Sequence, residues 1–211
     1  MKIEITPAIV VPDMSPLIHL AAATQLTLLQ AFGRVIVMDI VAYEATADLE
    51  RPWARDVAAW LENGQAPGSN QPVEVVKTEI GEAYRLARQT DPSFKLQDAG
   101  ERAIRDWLVD TLPEVGGPAL VIYEDKKMPK LIQREQLTES VVIATTRAML
   151  AFAEERGVKC LGPKATQHDV FAGVITAELP LPQPTPEELA AEMAALRVFY
   201  GPHMPRRGDN E

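Results

Sequence analysis

Cysteine is almost missing from this chain. Cys160 stands alone, so no internal disulfide can form, and a reducing cytoplasm is the expected compartment. It follows Val158 in a short apolar run and reads as a small buried hydrophobe rather than a nucleophile. Histidine is scarce as well: His19, His168 and His203 share no spacing at which two could grip one ion, which argues against a zinc site. His19 falls on the apolar side of the first helix and reads as a core or interface residue. No apolar run approaches the ~18–20 residues of a membrane-spanning helix. The start MKIEITPAIV lacks the basic and then long apolar pattern of a secretory signal. Basic residues are in deficit, 21 Lys and Arg against 30 Asp and Glu, for a net charge of −9. That balance excludes a protein that coats nucleic acid by broad phosphate neutralisation. Clusters at Arg85/Arg88, Lys126/Lys127/Lys130 and Arg206/Arg207 leave room for a small footprint.

What is present suits a globular chain. Of 211 residues 46% are hydrophobic and 24% charged, enough for one domain with a real core. The pattern predicts a domain over 1–178. A tail over 179–211 begins with the proline-rich LPLPQPTP, continues in the amphipathic helix PEELAAEMAALRVFY and ends in a disordered stretch. Residues 8–12 read as a buried strand, followed by a helix with Ser15 as N-cap and Pro16 in its first turn. QLTLLQAF is a short helix ending at Gly33. RVIVM is a second buried strand, and DIVAYEATADL a helix with Asp39 as N-cap. The helix that carries Trp53 and Trp60 stops at Asn63-Gly64. VEVVKT is a strand, and Thr78 caps the helix after it. QDAGERAIRDWLVDTL sets Ile104, Trp107, Leu108 and Leu112 on one stripe and breaks at PEVGGP. ALVIY and ESVVIATT read as strands buried on both faces, with the helix RAMLAFAEERG after the second. Strands alternating with helices define an α/β fold with a mostly parallel sheet, in which sites form beyond the carboxyl ends of the strands.

Four acids fall at element ends: Asp13 after AIVV, Glu44 in VAYE, Glu101 in DAGERAI and Asp125 after ALVIYE. Carboxylates cost several kcal/mol to gather unless a positive charge sits among them. Their placement therefore points to a shared hard cation, Mg2+ or Mn2+, and to phosphodiester hydrolysis. Each acid also has a plainer role available. Asp13 can be an N-cap, Glu44 can be a solvated helix residue, and Glu124 reads as an outer-shell ligand or, preferably, a solvated acid. Gly81-Glu82 is a second copy of Gly100-Glu101; the DAGERAI context and its distance before ALVIYED favour Glu101.

The stretch VVPDMSPLIHLAAATQLTLLQAFGRVIVMDIVAYE resembles the opening of the PIN-domain family of metal-dependent ribonucleases, which includes the VapC-like toxins. It carries an apolar strand, Asp-x-Ser-Pro-Leu-Ile, a Leu-Leu helix, a second strand and Val-x-x-Glu. DAGERAI is similar to the Gly-Glu helix of one PIN subgroup, and VIYEDKK to the acidic turn after the family's fourth strand; the set runs in order across residues 8–160. The resemblance implies a three-layer α/β/α sandwich that hydrolyses RNA, with Asp13, Glu44, Glu101 and Asp125 as catalytic acids. Asp13, Glu101 and Asp125 would hold Mg2+ or Mn2+, with Ser15, Thr145 and Thr146 lining the pocket and Lys126 or Lys127 meeting a substrate phosphate. The partners it implies are RNA, single-stranded or structured, an antitoxin protein and further copies of the chain in a homodimer or other homo-oligomer. The long segment between Glu44 and Glu101 and the proline-rich tail depart from the family pattern. Two other functions compete. A PIN-like domain without turnover, acting as an RNA-binding or scaffold protein, is favoured by the acidic balance and opposed by retention of all four acids. A haloacid dehalogenase phosphatase needs a second Asp two positions after Asp13, where Ser15 stands.

Overall fold

The computed structural model describes residues 8–70, 72–158 and 184–201. Among the described residues five strands form one sheet: β1 (Ile9–Pro12), β2 (Arg34–Met38), β3 (Val73–Val76), β4 (Ala119–Tyr123) and β5 (Val141–Thr145). Their order is β3-β2-β1-β4-β5 and every neighbouring pair is parallel. β4 is buried at every position, as a strand covered on both faces must be. β1 ends on Pro12, which a central strand tolerates here because pairing with β2 stops at Val10. The missing N–H therefore breaks no ladder bond.

The chain runs outward from β1 to β2 and β3, crosses back to β4, and runs outward again to β5. Right-handed crossovers in opposite directions place helices on both faces. One layer joins α1 (Met14–Ala22), α4 (Pro52–Gln65) and α9 (Thr146–Glu155); the other joins α5 (Glu79–Thr90), α6 (Ala99–Asp106) and α8 (Lys127–Arg134). This is the α/β/α sandwich. A short α2 (Leu28–Phe32) leads into β2, and α3 (Asp39–Ala45), following β2, touches helices of both layers. The core is made by the strands with Leu17, Leu20, Ile104, Leu108, Met149 and Phe152. Trp60 and Trp107 are buried packing residues. No helix among the described residues is long and apolar enough to cross a membrane.

Several element ends differ from the sequence reading. α1 starts at Met14 with Asp13 in the N-cap position, so Ser15 lies inside the first turn. Asp39 is the first residue of α3 rather than its cap, because its carboxylate is taken by α5. The helix expected through Leu112 passes instead from α6 into a π-helical turn at Trp107–Thr111 and on into α7 (Leu112–Val115). The wide turn accommodates Pro113, which lacks an N–H and crowds the preceding turn. The break comes at Gly116. α8 was not anticipated, since Pro129 masks it; proline in a first turn removes no helical bond, and Met128 and Ile132 are buried. α10 (Pro186–Tyr200), capped by a Thr185/Glu188 capping box, packs on α9 and on β5. Leu196 is fully buried, and the Tyr200 hydroxyl donates to the Phe32 carbonyl at 2.9 Å. Cys160, His168, His203, Arg206 and Arg207 lie outside the described residues, as does most of the proline-rich stretch.

Candidate active site

β1 and β4 lie side by side where the strand order reverses, the point at which open α/β sheets form a crevice beyond their carboxyl ends. Asp13 leaves β1 there, its N–H donating to the Ile122 carbonyl at 2.9 Å. Glu124 and Asp125 leave β4. α3 brings Glu44 over the same edge, and α6 brings Gly100 and Glu101. Gly100 is the joint of the site. A Cβ on it would stand 3.2 Å from Val41 Cγ2, 3.3 Å from Asp13 Oδ1 and 3.4 Å from Glu44 Oε2. Two carboxylates from different elements thus converge on one helical turn that has no side chain to separate them from it.

Electrostatics follow from that crowding. Asp13 is 7% exposed. Burial pushes its carboxyl up to about 7; the Met14 N–H pulls it down, and the charges of Glu101, Asp125 and Glu124 push it up again. Burial, then the charges of Asp13 and Glu101, raise Glu44 to about 7 as well. Acids that raise one another in a crevice are gathered for a cation or a proton rather than for packing.

Asp39 provides an internal contrast. It also follows a buried strand and also lies against a helical glycine: a Cβ on Gly81 would fall 2.2 Å from Asp39 Oδ1. Its oxygens are satisfied, accepting from the Thr78 N–H at 3.1 Å, the Thr78 hydroxyl at 2.7 Å and Arg85 Nη1 at 2.6 Å. The Gly81-Glu82 copy is therefore a structural anchor with its own cation, and Glu82 is exposed. Gly100-Glu101 is the copy brought to Asp13 and Glu44.

The structure places the other expected residues unevenly. Asp125 is exposed; its Oδ1 accepts the Lys127 N–H at 2.9 Å and its Oδ2 lies 3.8 Å from Lys127 Nζ. Among the described residues no three His, Cys, Asp or Glu side chains stand close enough to hold an ion between them. The convergence is that of Asp13 with Glu44, and the trio Asp13, Glu101 and Asp125 forms an open set. Ser15 is half-buried beside Asp13. Thr145 turns away from the acids: its hydroxyl accepts the Ala148 N–H at 3.2 Å and donates to Glu192 Oε2 at 2.7 Å. The Thr146 N–H donates to Glu124 Oε1 at 3.3 Å. Lys126 is exposed at the N-cap of α8. Lys127 reaches the acids instead, with Nζ 2.5 Å from Asp98 Oδ1.

Sequence reasoning undervalued one participant and missed two. Glu124 is not solvated: its side chain is 8% exposed and Oε1 lies 3.7 Å from His19 Nδ1. The signal was the Glu-Asp pair itself, two acids directly after a buried strand, both close enough to raise Asp13. Glu192, from α10, accepts from the Thr145 N–H at 2.9 Å and from the Tyr123 hydroxyl at 3.0 Å; no local pattern marks it. The third is a cavity of about 630 Å³ that opens beside Glu101 between α6 and α8. Family models, curated proteins and solved structures were compared with the chain, and none matches it.

The donor set fits a hard divalent cation. It is all carboxylate oxygen, and Mg2+ takes one or two protein carboxylates directly while water and phosphate oxygens complete its octahedron. The Asp13 and Glu44 oxygens that both approach Gly100 could supply such a pair.

Proposed function

We propose that this chain is a divalent-metal-dependent endoribonuclease. The observation that carries the reading is the meeting of Asp13 and Glu44 over Gly100 at the point where the sheet order reverses. Asp13 and Glu44 would hold the ion, with Glu101 and Glu124 adding negative charge around it. A bound Mg2+ or Mn2+ supplies an activated water and a counter-charge for the leaving oxygen. The chain's own part is positional. Gly100 keeps the approach to the two carboxylates clear, burial of Asp13 and half-burial of Glu44 reduce screening by water, and Lys127, held by Asp98 and Asp125, offers an ammonium to a phosphate at the rim.

The test is cleavage of a mixed-sequence single-stranded RNA with Mn2+ and with EDTA. Wild type should cleave only with the metal, and Asp13→Asn and Glu44→Gln should each lose at least about 100-fold in rate, as expected when a group that stabilises the transition state is removed. If wild type cleaves none of several RNAs, a second reading replaces the first: a PIN-like RNA-binding or scaffold protein without turnover. Its support is that Asp125 is drawn to Lys127 and that no three acids close around one point among the described residues.

A further inference from the structure

The cavity between α6 and α8 is built by two basic stripes. On α6, Arg102 and Arg105 are three residues apart and share a face. On α8, Lys127, Lys130 and Arg134 repeat at helical spacing on the opposing wall. Five cations therefore line one groove, together with Asp98, which pairs with Lys127, and Glu101, in a chain of net charge −9. Among the described residues Arg105 and Arg134 pair with the acids next to them in sequence, Asp106 and Glu135. The Arg134 pair is exposed and the Arg105 pair half-buried; solvent-accessible pairs between sequence neighbours are weak and can exchange for a phosphate. Arg102 and Lys130 are exposed and enter no ion pair among the described residues. None of the lining residues is aromatic, so the groove has no platform on which a base could stack.

We propose that this groove is a phosphate track: it holds the sugar-phosphate backbone of single-stranded RNA on one side of the scissile bond, with Arg102 and Lys130 as its principal contacts. The proposal deepens the nuclease reading and rests on it for the choice of RNA. Two observations favour a nucleic acid over an acidic peptide. Glu101 lines the groove, and its charge raises the carboxyls of Asp13 and Glu44 beyond it, so peptide carboxylates would meet like charge there. A phosphate arriving there can share a divalent ion with these acids. Because phosphate contacts position a strand without reading it, the track binds all sequences alike.

The experiment measures binding of a fluorescently labelled, mixed-sequence single-stranded RNA to the full chain in EDTA, by anisotropy across a salt series. For single strands each neutralised phosphate adds about 0.7 to the slope of log K against log salt. Arg102→Ala with Lys130→Ala should weaken binding at least 10-fold and flatten the slope by about 1.4, two contacts' worth. The loss should be equal on unrelated sequences, with the melting temperature unchanged. Arg55→Ala, on α4 in the other layer, should bind as wild type does. In cleavage the double variant should raise KM and leave kcat, whereas Asp13→Asn should bind normally and not cleave. Unchanged affinity and slope in the double variant overturn the track. So does a wild type that fails to bind RNA at low salt, or one whose RNA is displaced by polyglutamate binding through the same two residues, which would make this a protein-docking surface. RNA held in the groove without Mn2+-dependent cleavage would overturn the nuclease reading alone; cleavage indifferent to Arg102 and Lys130 would overturn the track alone.

Discussion

Asp13 and Asp39 occupy nearly equivalent positions, each just past a buried strand and each against a helical glycine, yet they carry opposite consequences. Asp39 has Arg85 and two donors from Thr78, whereas Asp13 is surrounded by other acids. Raised carboxyl pKa values mean that the folded protein holds protons the unfolded chain has already released. Between the ordinary carboxylate values near 4 and the folded values of about 7 for Asp13 and Glu44, stability in EDTA therefore falls as pH rises, and it is level on either side of that window. Wild type should show a higher urea midpoint at pH 5 than at pH 8, and Asp13→Asn should remove much of the difference. At about 1.4 kcal/mol per pKa unit, the variant should gain about 1–3 kcal/mol at pH 8. A wild type more stable at pH 8 than at pH 5 would contradict the crowding of these acids. The two glycines separate structure from site in the same way. Gly81→Ala drives a methyl into the Asp39 carboxylate and should cost about 1–3 kcal/mol as an overpacked contact. Gly100→Ala meets tight but not overlapping atoms, and better helix propensity offsets part of that strain by about 1 kcal/mol. It should keep the fold and lose the metal response. Equal melting temperatures for the two variants would show that Gly81 is no anchor.

At the scale of elements, α10 is tied to the sheet by one carboxylate. Glu192 accepts from the Tyr123 hydroxyl, the Thr145 N–H and the Thr145 hydroxyl, so its helix closes the edge that β5 would otherwise leave open. Burial and the Glu192 charge together raise the Tyr123 phenol well above its ordinary value, which keeps it a donor. Glu192→Ala should cost about 1–3 kcal/mol through the partners left unsatisfied. Leu196→Ala should cost about 2–5 kcal/mol. Both are read from urea midpoints, and a neutral Leu196→Ala would show that α10 does not dock as described. Which elements were legible follows from where their determinants lie. The strands announced themselves, because runs such as ALVIY have no other use, and the Thr78 cap and the tail helix were written in local chemistry. The docking of α10 was not: Glu192 meets Thr145 forty-seven residues away, and one helix face looks the same against its own domain or a partner. Asp13 and Glu44 were legible as residues, but their meeting point was not, since it depends on Gly100 arriving between them. α8 was hidden by Pro129, and with it the opposing wall of the basic groove, although Lys127 and Lys130 were visible as a cluster.

Over the whole molecule the charge is divided rather than spread. A net −9 chain gathers acids in the crevice beyond β1 and β4 and sets cations along the groove beside it. This arrangement makes stability depend on metal and pH together. A ligand that binds only the folded state stabilises it by about 2.7 kcal/mol at a hundredfold excess over its Kd. In a chain of this size about 1 kcal/mol corresponds to roughly 2–4 °C in Tm, so saturating Mn2+ should raise the melting temperature at pH 8 by about 5–10 °C. At pH 5.5 protons occupy the same carboxylates, since Asp13 and Glu44 hold them up to about 7. Metal must displace those protons to bind, and the shift should shrink to a fraction of its value at pH 8. Asp13→Asn should abolish the shift at both pH values, while Glu82→Gln, on the copy served by Arg85, should leave it intact. A shift that is the same at both pH values, or the same in Asp13→Asn, would place the ion elsewhere on the acidic surface, and no shift in wild type would leave these acids without a metal to serve.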